Sequence, residues 1–318
     1  MKGSQKPTSW ITYFQATRPT FLTASMIPVA VGTAAGMVAG GGVDWAMFIA
    51  AMAGVVFLHA GANVINDYYD HLSGDDWYNI SPTPFSGGRR FIQTGILSPR
   101  QTQRLGLVLL GIGACIGLCI VAIKRSLFIL LIGLAGTLGG YFYTARPIQI
   151  GYRGIGEISI GLLFGLLPVY GSYYLQTSHI DLLPLGPALI ISLLIFLVIL
   201  INEFPDRDPD RLAGKKTLVV LLGPKACIQI YRMALLSTVI VALLMAASSS
   251  LGWAGLASLL TLPLVVLAWR QAGLYQACFT DPTVANRTTL ILHATAGLAL
   301  VLGLVMDALC QAPISLLP

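Results

Sequence analysis

Long apolar stretches alternate with short polar connections along most of this chain. A membrane span needs roughly 20 mostly apolar residues to cross about 30 Å of hydrocarbon. Glycine and proline inside such stretches are tolerated when neighbouring helices satisfy the freed backbone groups. The pattern predicts an all-α integral membrane protein with nine transmembrane helices, near residues 20–39, 45–66, 104–122, 126–143, 155–175, 184–203, 225–248, 252–270 and 288–310.

The composition supports a membrane protein. The chain has 318 residues, of which 56% are hydrophobic and only 10% charged, and its mean hydropathy is +0.78. A soluble domain of this length carries far more charge. We therefore expect one membrane domain over residues 1–318, in contact with the lipid bilayer throughout.

Basic residues predict the orientation of the spans. If the N-terminus is cytoplasmic, only Lys124 and Arg125 fall on the outer side, which leaves seventeen of the nineteen Lys and Arg residues inside, Lys2 and Lys6 among them. This asymmetry predicts a multi-pass protein of the cytoplasmic (inner) membrane with its N-terminus inside. The net charge of +6 then reflects topology and attraction to anionic headgroups, not nucleic-acid binding. No obligate protein partner is evident.

The first acidic cluster follows the second apolar stretch. Asn63, Asp67 and Asp70 recur at i, i+4 and i+7, with Asn66 beside them. If the helix continues to this point, these side chains share one face. We treat residues 63–70 as a first Asp-rich motif that leads into a cytoplasmic cap loop over 71–103.

The second acidic cluster follows the sixth apolar stretch. Asn202, Asp206 and Asp210 are spaced by four residues and again share a helix face. Pro205 and Pro209 lie within it, and an interior proline costs about 3 kcal/mol, so we expect a kink or a broken and restarted helix. Residues 202–210 form the second motif, with a cap loop over 211–224.

The two clusters read as an internal repeat. Each is followed by glycine and a basic pair, Gly88-Arg89-Arg90 in one case and Gly214-Lys215-Lys216 in the other. We therefore predict two pseudo-repeated halves around a central cavity, with both acidic faces directed into it and cap loops on the cytoplasmic side.

Converging carboxylates require a cation. Two carboxylates 4 Å apart repel by about 4 kcal/mol at an effective dielectric constant near 20. Mg²⁺ prefers carboxylates together with substrate phosphate oxygens, and nearby Arg and Lys residues would bind the same oxygens. An apolar body attached to such a site favours a lipid-tailed diphosphate, and a prenyl diphosphate fits best.

The motifs resemble those of the UbiA-type intramembrane aromatic prenyltransferases. The similarity rests on Arg18-Pro19, Asn63-x-x-Asn66-Asp67-x-x-Asp70, Tyr143-Thr144-x-Arg146-Pro147, Asp206-x-x-x-Asp210 and Gly214-Lys215-Lys216-Thr217-Leu218. The stretch from Asn66 to Gly74, with Gly95-x-Leu97-Ser98-Pro99, is most similar to the branch that prenylates 1,4-dihydroxy-2-naphthoate in menaquinone synthesis. Many relatives carry an acid where this chain has Gly74. Here acids occur at Asp75 and Asp76 instead, and we assign them no role.

The resemblance implies Mg²⁺-dependent transfer of a polyprenyl chain from its diphosphate to an aromatic acid. It implies metal ligands at Asn63, Asp67, Asp70, Asp206 and Asp210, of which the four Asp are also the catalytic candidates. The predicted substrate-binding residues are Asn63, Asn66, Asn202, Arg18, Arg146, Tyr143, Lys215 and Lys216. The four histidines, His59, His71, His179 and His293, receive no role.

Two alternatives remain open from the sequence. The acceptor could instead be 4-hydroxybenzoate, homogentisate or a porphyrin-type ring. Alternatively, repeated halves with membrane-facing acids also occur in transporters. Transporter sites usually lie near the bilayer midplane, whereas these acids cluster at one surface, which favours an enzyme.

Overall fold

The computed structural model describes residues 9–40, 42–80, 83, 85, 88–278 and 282–311. Every regular element among these residues is helical. Lys2, Lys6 and both ends of the predicted 1–318 domain lie outside the described residues, as do five positions of the first cap loop.

Thirteen α-helices follow one another along the described chain. They are α1 (Trp10–Ala16), α2 (Thr23–Val38), α3 (Trp45–Ser73), α4 (Asp75–Tyr78), α5 (Pro99–Lys124), α6 (Leu127–Phe142), α7 (Gly156–Gly161), α8 (Leu167–Thr177), α9 (Leu185–Leu212), α10 (Leu218–Ala246), α11 (Gly252–Leu259), α12 (Leu262–Cys278) and α13 (Pro282–Gln311). A π-helical turn, Leu162–Leu166, joins α7 to α8 into one continuous segment.

Each predicted apolar stretch coincides with helix, but not every one has the length of a span. Seven helical segments are long and apolar enough to cross a membrane, and α11 with α12 makes an eighth if this pair, bent by 47°, counts as one span. Helix α6 has only 16 residues, which is about 24 Å at 1.5 Å per residue. The described chain is thus an all-helical membrane protein with seven or eight candidate spans.

The helices that carry the acidic motifs are longer than their apolar stretches. Helix α3 continues to Ser73 and ends at Gly74, whose φ of 87° is a left-handed conformation that favours glycine. Helix α9 continues to Leu212 without a break through Pro205 and Pro209. Of the two expected outcomes, a kink or a broken and restarted helix, the break is therefore wrong. Both predicted one-face arrangements therefore hold.

The exterior of the helix bundle is apolar. Large side chains point outward from several helices with more than half of their surface exposed, including Leu118 at 58%, Leu131 at 56% and Leu302 at 63%. A soluble protein rarely exposes apolar area on this scale, whereas lipid covers it without penalty.

Helix α9 lies at the centre of the core. Ile191, Leu197 and Leu200 are completely buried against helices of the second half and against α2. The contact between α3 and α5 is instead built on glycines. A Cβ at Gly106 would lie 2.7 Å from Ile65 Cγ1, and one at Gly61 would lie 2.7 Å from the backbone nitrogen of Leu110. Small residues let membrane helices approach closely in this way.

We predict that Gly106→Ala lowers the thermal stability of the detergent-solubilised protein, because overpacking a close contact costs about 1–3 kcal/mol. Gly111 is the matched control on the same helix, since a Cβ there meets nothing within 4 Å. Gly111→Ala should leave the melting temperature unchanged or raise it slightly. Equal melting temperatures for the two variants would contradict the glycine-based contact.

Candidate functional site

The two acidic motifs meet at one cavity of about 220 Å³. Helices α3 and α9 place their polar faces on opposite sides of it, and α4 with the chain after α9 closes its polar end. The motif residues in its wall are Asn63, Asn66, Asp70, Asn202, Asp206 and Asp210.

Lys215 connects carboxylates from three elements. Its Nζ lies 3.3 Å from Asp70 Oδ2 and 3.5 Å from Asp210 Oδ1, and it also contacts Asp75 Oδ2. Burial lowers the pKa of Lys215, but the three carboxylates outweigh it and raise that pKa well above its ordinary value. The ammonium is therefore a fixed positive charge at the centre of the acids.

Arg18 pairs with the first motif. Its Nη2 contacts Asp67 Oδ1 and donates a hydrogen bond of 3.1 Å to Asn66 Oδ1. Asn66 Nδ2 in turn donates to Asp70 Oδ2 at 2.9 Å, so both ends of this amide are occupied. Arg18 and Asn66 line the cavity, whereas Asp67 is buried and does not line it, which differs from the expectation that the whole acidic face is directed into the cavity.

The first cap loop adds two buried acids. Asp75 and Asp76 are 7% and 4% exposed, and both line the cavity. Burial and then the charges of Asp70 and Asp67 raise the pKa of Asp76 to about 8. Gln93 Nε2 donates to Asp76 Oδ2 at 2.8 Å. Asp75 Oδ1 is buried without a hydrogen-bond partner among the described residues, which leaves an oxygen available to a cation.

The cap loop also connects to the second motif. Asn79 Nδ2 donates a hydrogen bond of 2.8 Å to Asp206 Oδ1, and Arg90 donates to the backbone carbonyl of Asn79. The loop after α3 is thereby attached to the end of α9. The two motifs are parts of one polar structure.

Two tyrosines flank the acids. Tyr152 donates to Ser73 Oγ at 3.1 Å and to Asp70 Oδ1 at 3.4 Å, and its ring centroid lies 5.5 Å from Lys215 Nζ. Tyr143 also lines the cavity.

Two predicted basic residues lie elsewhere. Arg146 and Lys216 are exposed, and neither lines the cavity. Lys215 is only 13% exposed at its side chain, although it is adjacent to Lys216 in the sequence. A role for Arg146 and Lys216 in diphosphate binding stays a prediction.

Sequence reasoning missed several residues of the site. Asp75 and Asp76 fit the helical spacing of neither acidic motif, so no sequence pattern assigns them to the site. In the structure, α3 ends at Gly74 and the short helix α4 buries both side chains. Asn79 and Tyr152 have no motif signal, since their partners lie far away in the sequence.

An apolar chamber continues from the polar cavity. This second cavity, of about 140 Å³, lies among α3, α5, α6 and α8, and it shares His59, Ala62, Gly140 and Phe164 with the first. His59 Nδ1 lies 2.6 Å from Ser25 Oγ, and its ring stacks edge-on against Phe164 at 4.6 Å. The site is thus polar at one end and apolar at the other.

The donor set suits a hard divalent cation. Its side chains offer carboxylate and amide oxygens, the ligands that Mg²⁺ prefers. Within the described ranges, no group of three or more His, Cys, Asp or Glu side chains is arranged to hold a metal ion alone. Mg²⁺ usually takes one or two protein carboxylates and completes its shell with substrate phosphates and water.

Comparison with known proteins identifies the family to which the chain belongs. The model of the UbiA prenyltransferase family matches residues 25–278. The chain belongs to the UbiA prenyltransferase family. It is therefore an enzyme, a prenyltransferase, and a multi-pass integral membrane protein. The transporter alternative is wrong.

Named relatives fall into two groups. The chain is 32% identical over 215 residues to the 1,4-dihydroxy-2-naphthoate octaprenyltransferase of Bacillus subtilis, which covers 68% of this chain and 67% of that protein. It is 29% identical over 262 residues to UbiA prenyltransferase domain-containing protein 1 of Xenopus tropicalis, with 82% of this chain and 73% of that protein covered.

Solved structures support the fold. A UbiA homolog from Archaeoglobus fulgidus bound to DMAPP and Mg²⁺ superposes with a TM-score of 0.62 at 17% identity, covering 91% of this chain and 98% of that one. The apo structure of a UbiA homolog from Aeropyrum pernix gives a TM-score of 0.65 at 15% identity, with 87% and 97% covered.

We predict that Lys215→Gln and Lys216→Gln, introduced separately, differ in their effect on prenyl transfer. Lys215→Gln should reduce kcat/KM about tenfold or more, because it removes a charged hydrogen-bond donor from a buried cluster. Lys216→Gln should stay close to wild type, since Lys216 is exposed and outside the cavity. Equal losses in the two variants would contradict the central position of Lys215.

Proposed function

We propose that this UbiA-family enzyme transfers a prenyl chain from a polyprenyl diphosphate to 1,4-dihydroxy-2-naphthoate, with Mg²⁺, in menaquinone biosynthesis. The observation that carries the proposal is the shape of the site. Two acidic motifs and Lys215 lie at one end of a cavity whose other walls are apolar, and this cavity shares wall residues with a second, apolar chamber. A lipid-tailed diphosphate has the same division into a charged head and an apolar tail.

The donor would lie across both cavities. Its diphosphate would occupy the polar end, near Lys215 and Arg18, which supply charge-assisted hydrogen bonds to phosphate oxygens. Its chain would enter the apolar chamber beyond His59 and Phe164. The allylic carbon, which is bonded to the diphosphate, would then lie at the boundary between the two.

Mg²⁺ would be held by carboxylates of both motifs. We propose Asp70, Asp206 and Asp210 as ligands with Asn63, together with Asp67 once Arg18 shifts to the diphosphate. Asp75 and Asp76 join these candidates because both line the cavity. When bound, the ion neutralises charge on the diphosphate as a leaving group.

The protein's own residues position the reactants and exclude water. Lys215 is held in place by three carboxylates, so its charge is preorganised toward the departing diphosphate. The cap loop covers the polar end through the Asn79 to Asp206 hydrogen bond. Exclusion of water matters because an allylic cation would otherwise be hydrolysed instead of attacked by the aromatic ring.

The acceptor proposal draws on the relatives. Several curated relatives at about 30% identity are named 1,4-dihydroxy-2-naphthoate octaprenyltransferases, from Bacillus subtilis and from Haemophilus influenzae among others. The chain is about as similar to the vertebrate UbiA prenyltransferase domain-containing protein 1, whose name specifies no acceptor. Other aromatic acceptors are therefore the second candidate.

We further propose the orientation and the complete set of spans. Helix α6, an apolar helix of 16 residues, would be the ninth span, crossing a locally thin part of the bilayer. The excess of basic residues then puts the N-terminus, the cap loops and the polar end of the cavity in the cytoplasm. The repeated Asn-x-x-x-Asp pattern on α3 and α9 supports two pseudo-repeated halves within one domain.

Two aspartates of the second motif, one buried and one exposed, provide a test variant and its control. We expect Asp210→Asn to abolish prenyl transfer while the protein remains folded, because Asp210 is 3% exposed and lines the cavity. Asp208→Asn is the matched control, since Asp208 has a side chain 68% exposed. Product formation by mass spectrometry and melting temperature check both variants. Full activity of Asp210→Asn would overturn the site.

The acceptor is tested with a substrate panel. Purified protein with Mg²⁺ and one polyprenyl diphosphate is incubated with 1,4-dihydroxy-2-naphthoate, 4-hydroxybenzoate and homogentisate in separate reactions. We expect the prenylated naphthalene product, formed with loss of the ring carboxylate as CO₂. Product only with 4-hydroxybenzoate would refute the acceptor and leave prenyl transfer intact.

A further inference from the structure

Asn63 and Asn202 occupy matching positions of the internal repeat. Each lies four residues before an aspartate, Asp67 in the first motif and Asp206 in the second. The two asparagines both line the polar cavity. The resemblance implies a contact with the substrate for both, and for Asn63 also a metal ligand. Their hydrogen bonds to residues outside the cavity are different, and an amide side chain presents an oxygen at one end and an NH₂ group at the other.

The orientation of Asn63 is fixed by a backbone carbonyl. Asn63 Nδ2 donates a hydrogen bond of 3.0 Å to the carbonyl oxygen of Thr17, at the end of α1. A carbonyl oxygen only accepts, so the reversed amide would place two acceptors against each other. Asn63 Oδ1, to which the described residues give no partner, is left for the cavity.

The orientation of Asn202 is fixed by a residue of α13. Asn286 Nδ2 donates a hydrogen bond of 2.8 Å to Asn202 Oδ1, and Asn286 is only 2% exposed. The remaining atom of Asn286, Oδ1, is buried and has no hydrogen-bond partner in the part of the chain that the structure describes. If both amides were reversed, Asn202 would donate to Asn286, and the buried NH₂ group of Asn286 would be the atom without a partner. Buried donors without a partner are rarer in proteins than buried carbonyl oxygens without one.

We propose that the two asparagines have opposite roles, and that Asn286 is the positioning residue that makes them differ. Asn63 presents its oxygen to the divalent cation. Asn202 presents its NH₂ group to an oxygen of the prenyl diphosphate. This inference rests on the proposed function, because it assigns partners within that same site.

Charges of both signs lie on each side of the cavity. Lys215, three residues after the end of α9, adds a hydrogen-bond donor beside Asp206 and Asp210 on the side of Asn202. Arg18 lies with Asp70 on the side of Asn63. The division between the two asparagines therefore rests on their hydrogen-bond partners, and either side can contact both the cation and the diphosphate.

The test is the substitution Asn286→Asp. A carboxylate at 286 can only accept, so it would bind the NH₂ group of Asn202 and turn Asn202 Oδ1 toward the diphosphate. We expect KM for the prenyl diphosphate to rise on the order of tenfold, the size expected for one hydrogen bond to a charged group. The Mg²⁺ concentration for half-maximal rate and the melting temperature should change little.

A double-mutant cycle separates orientation from added charge. In an Asn202→Ala background, Asn286→Asp should raise KM no further, because there is no amide to turn. A rise of the same size in that background would show a direct charge effect and overturn the proposal, as would an unchanged KM in the single variant. Asn286→Leu, which adds no charge, should raise KM less than Asn286→Asp.

The activity of the wild-type protein distinguishes a failure of the proposed function from a failure of the inference about the asparagines. If it forms no prenylated product with any acceptor of the panel, the proposed function fails. If it forms product and Asn286→Asp has the wild-type KM, only the inference about the asparagines fails.

Discussion

Charge compensation among buried acids is the constraint on which the rest of this structure depends. Asp70, Asp75 and Asp210 are each less than a tenth exposed at the residue level, and they meet at the ammonium group of Lys215. Without a cation, carboxylates this close in a medium of low dielectric would repel one another strongly. The helix ends, the cap loop and the segment after α9 are therefore held together by one shared charge. A substrate with a diphosphate and a divalent cation would join the same network.

This arrangement explains why the acidic motifs lie where the apolar helices end. Helices α3 and α9 are anchored by packed apolar side chains over most of their length and carry their acids in the last turns. The polar end of the cavity is consequently supported by rigid elements, while the apolar chamber lies among α3, α5, α6 and α8. One site thus meets both needs of a lipid diphosphate, since it offers charges at one end and apolar walls at the other.

Much of the fold could be predicted from the sequence, because apolar stretches and helical spacing are local signals. The paired motifs on α3 and α9 were recognisable for the same reason. The sequence could not distinguish Lys215 from Lys216, because Lys215 contacts Asp70 and Asp75, which lie far away along the chain. It also missed the unbroken passage of α9 through Pro205 and Pro209. The opposite orientations of Asn63 and Asn202 depend on hydrogen bonds from other helices, which no motif contains.

Calorimetry can show whether both acidic motifs form a single binding site. A non-hydrolysable prenyl diphosphate analogue would be titrated with Mg²⁺ into wild type, Asp70→Asn, Asp210→Asn and the double variant. For a single site we predict that each single variant loses most of the Mg²⁺-dependent binding, and that the double variant loses much less than the sum of the two single losses. Losses that add up independently, or full binding after either substitution, would contradict a single site shared by the two motifs.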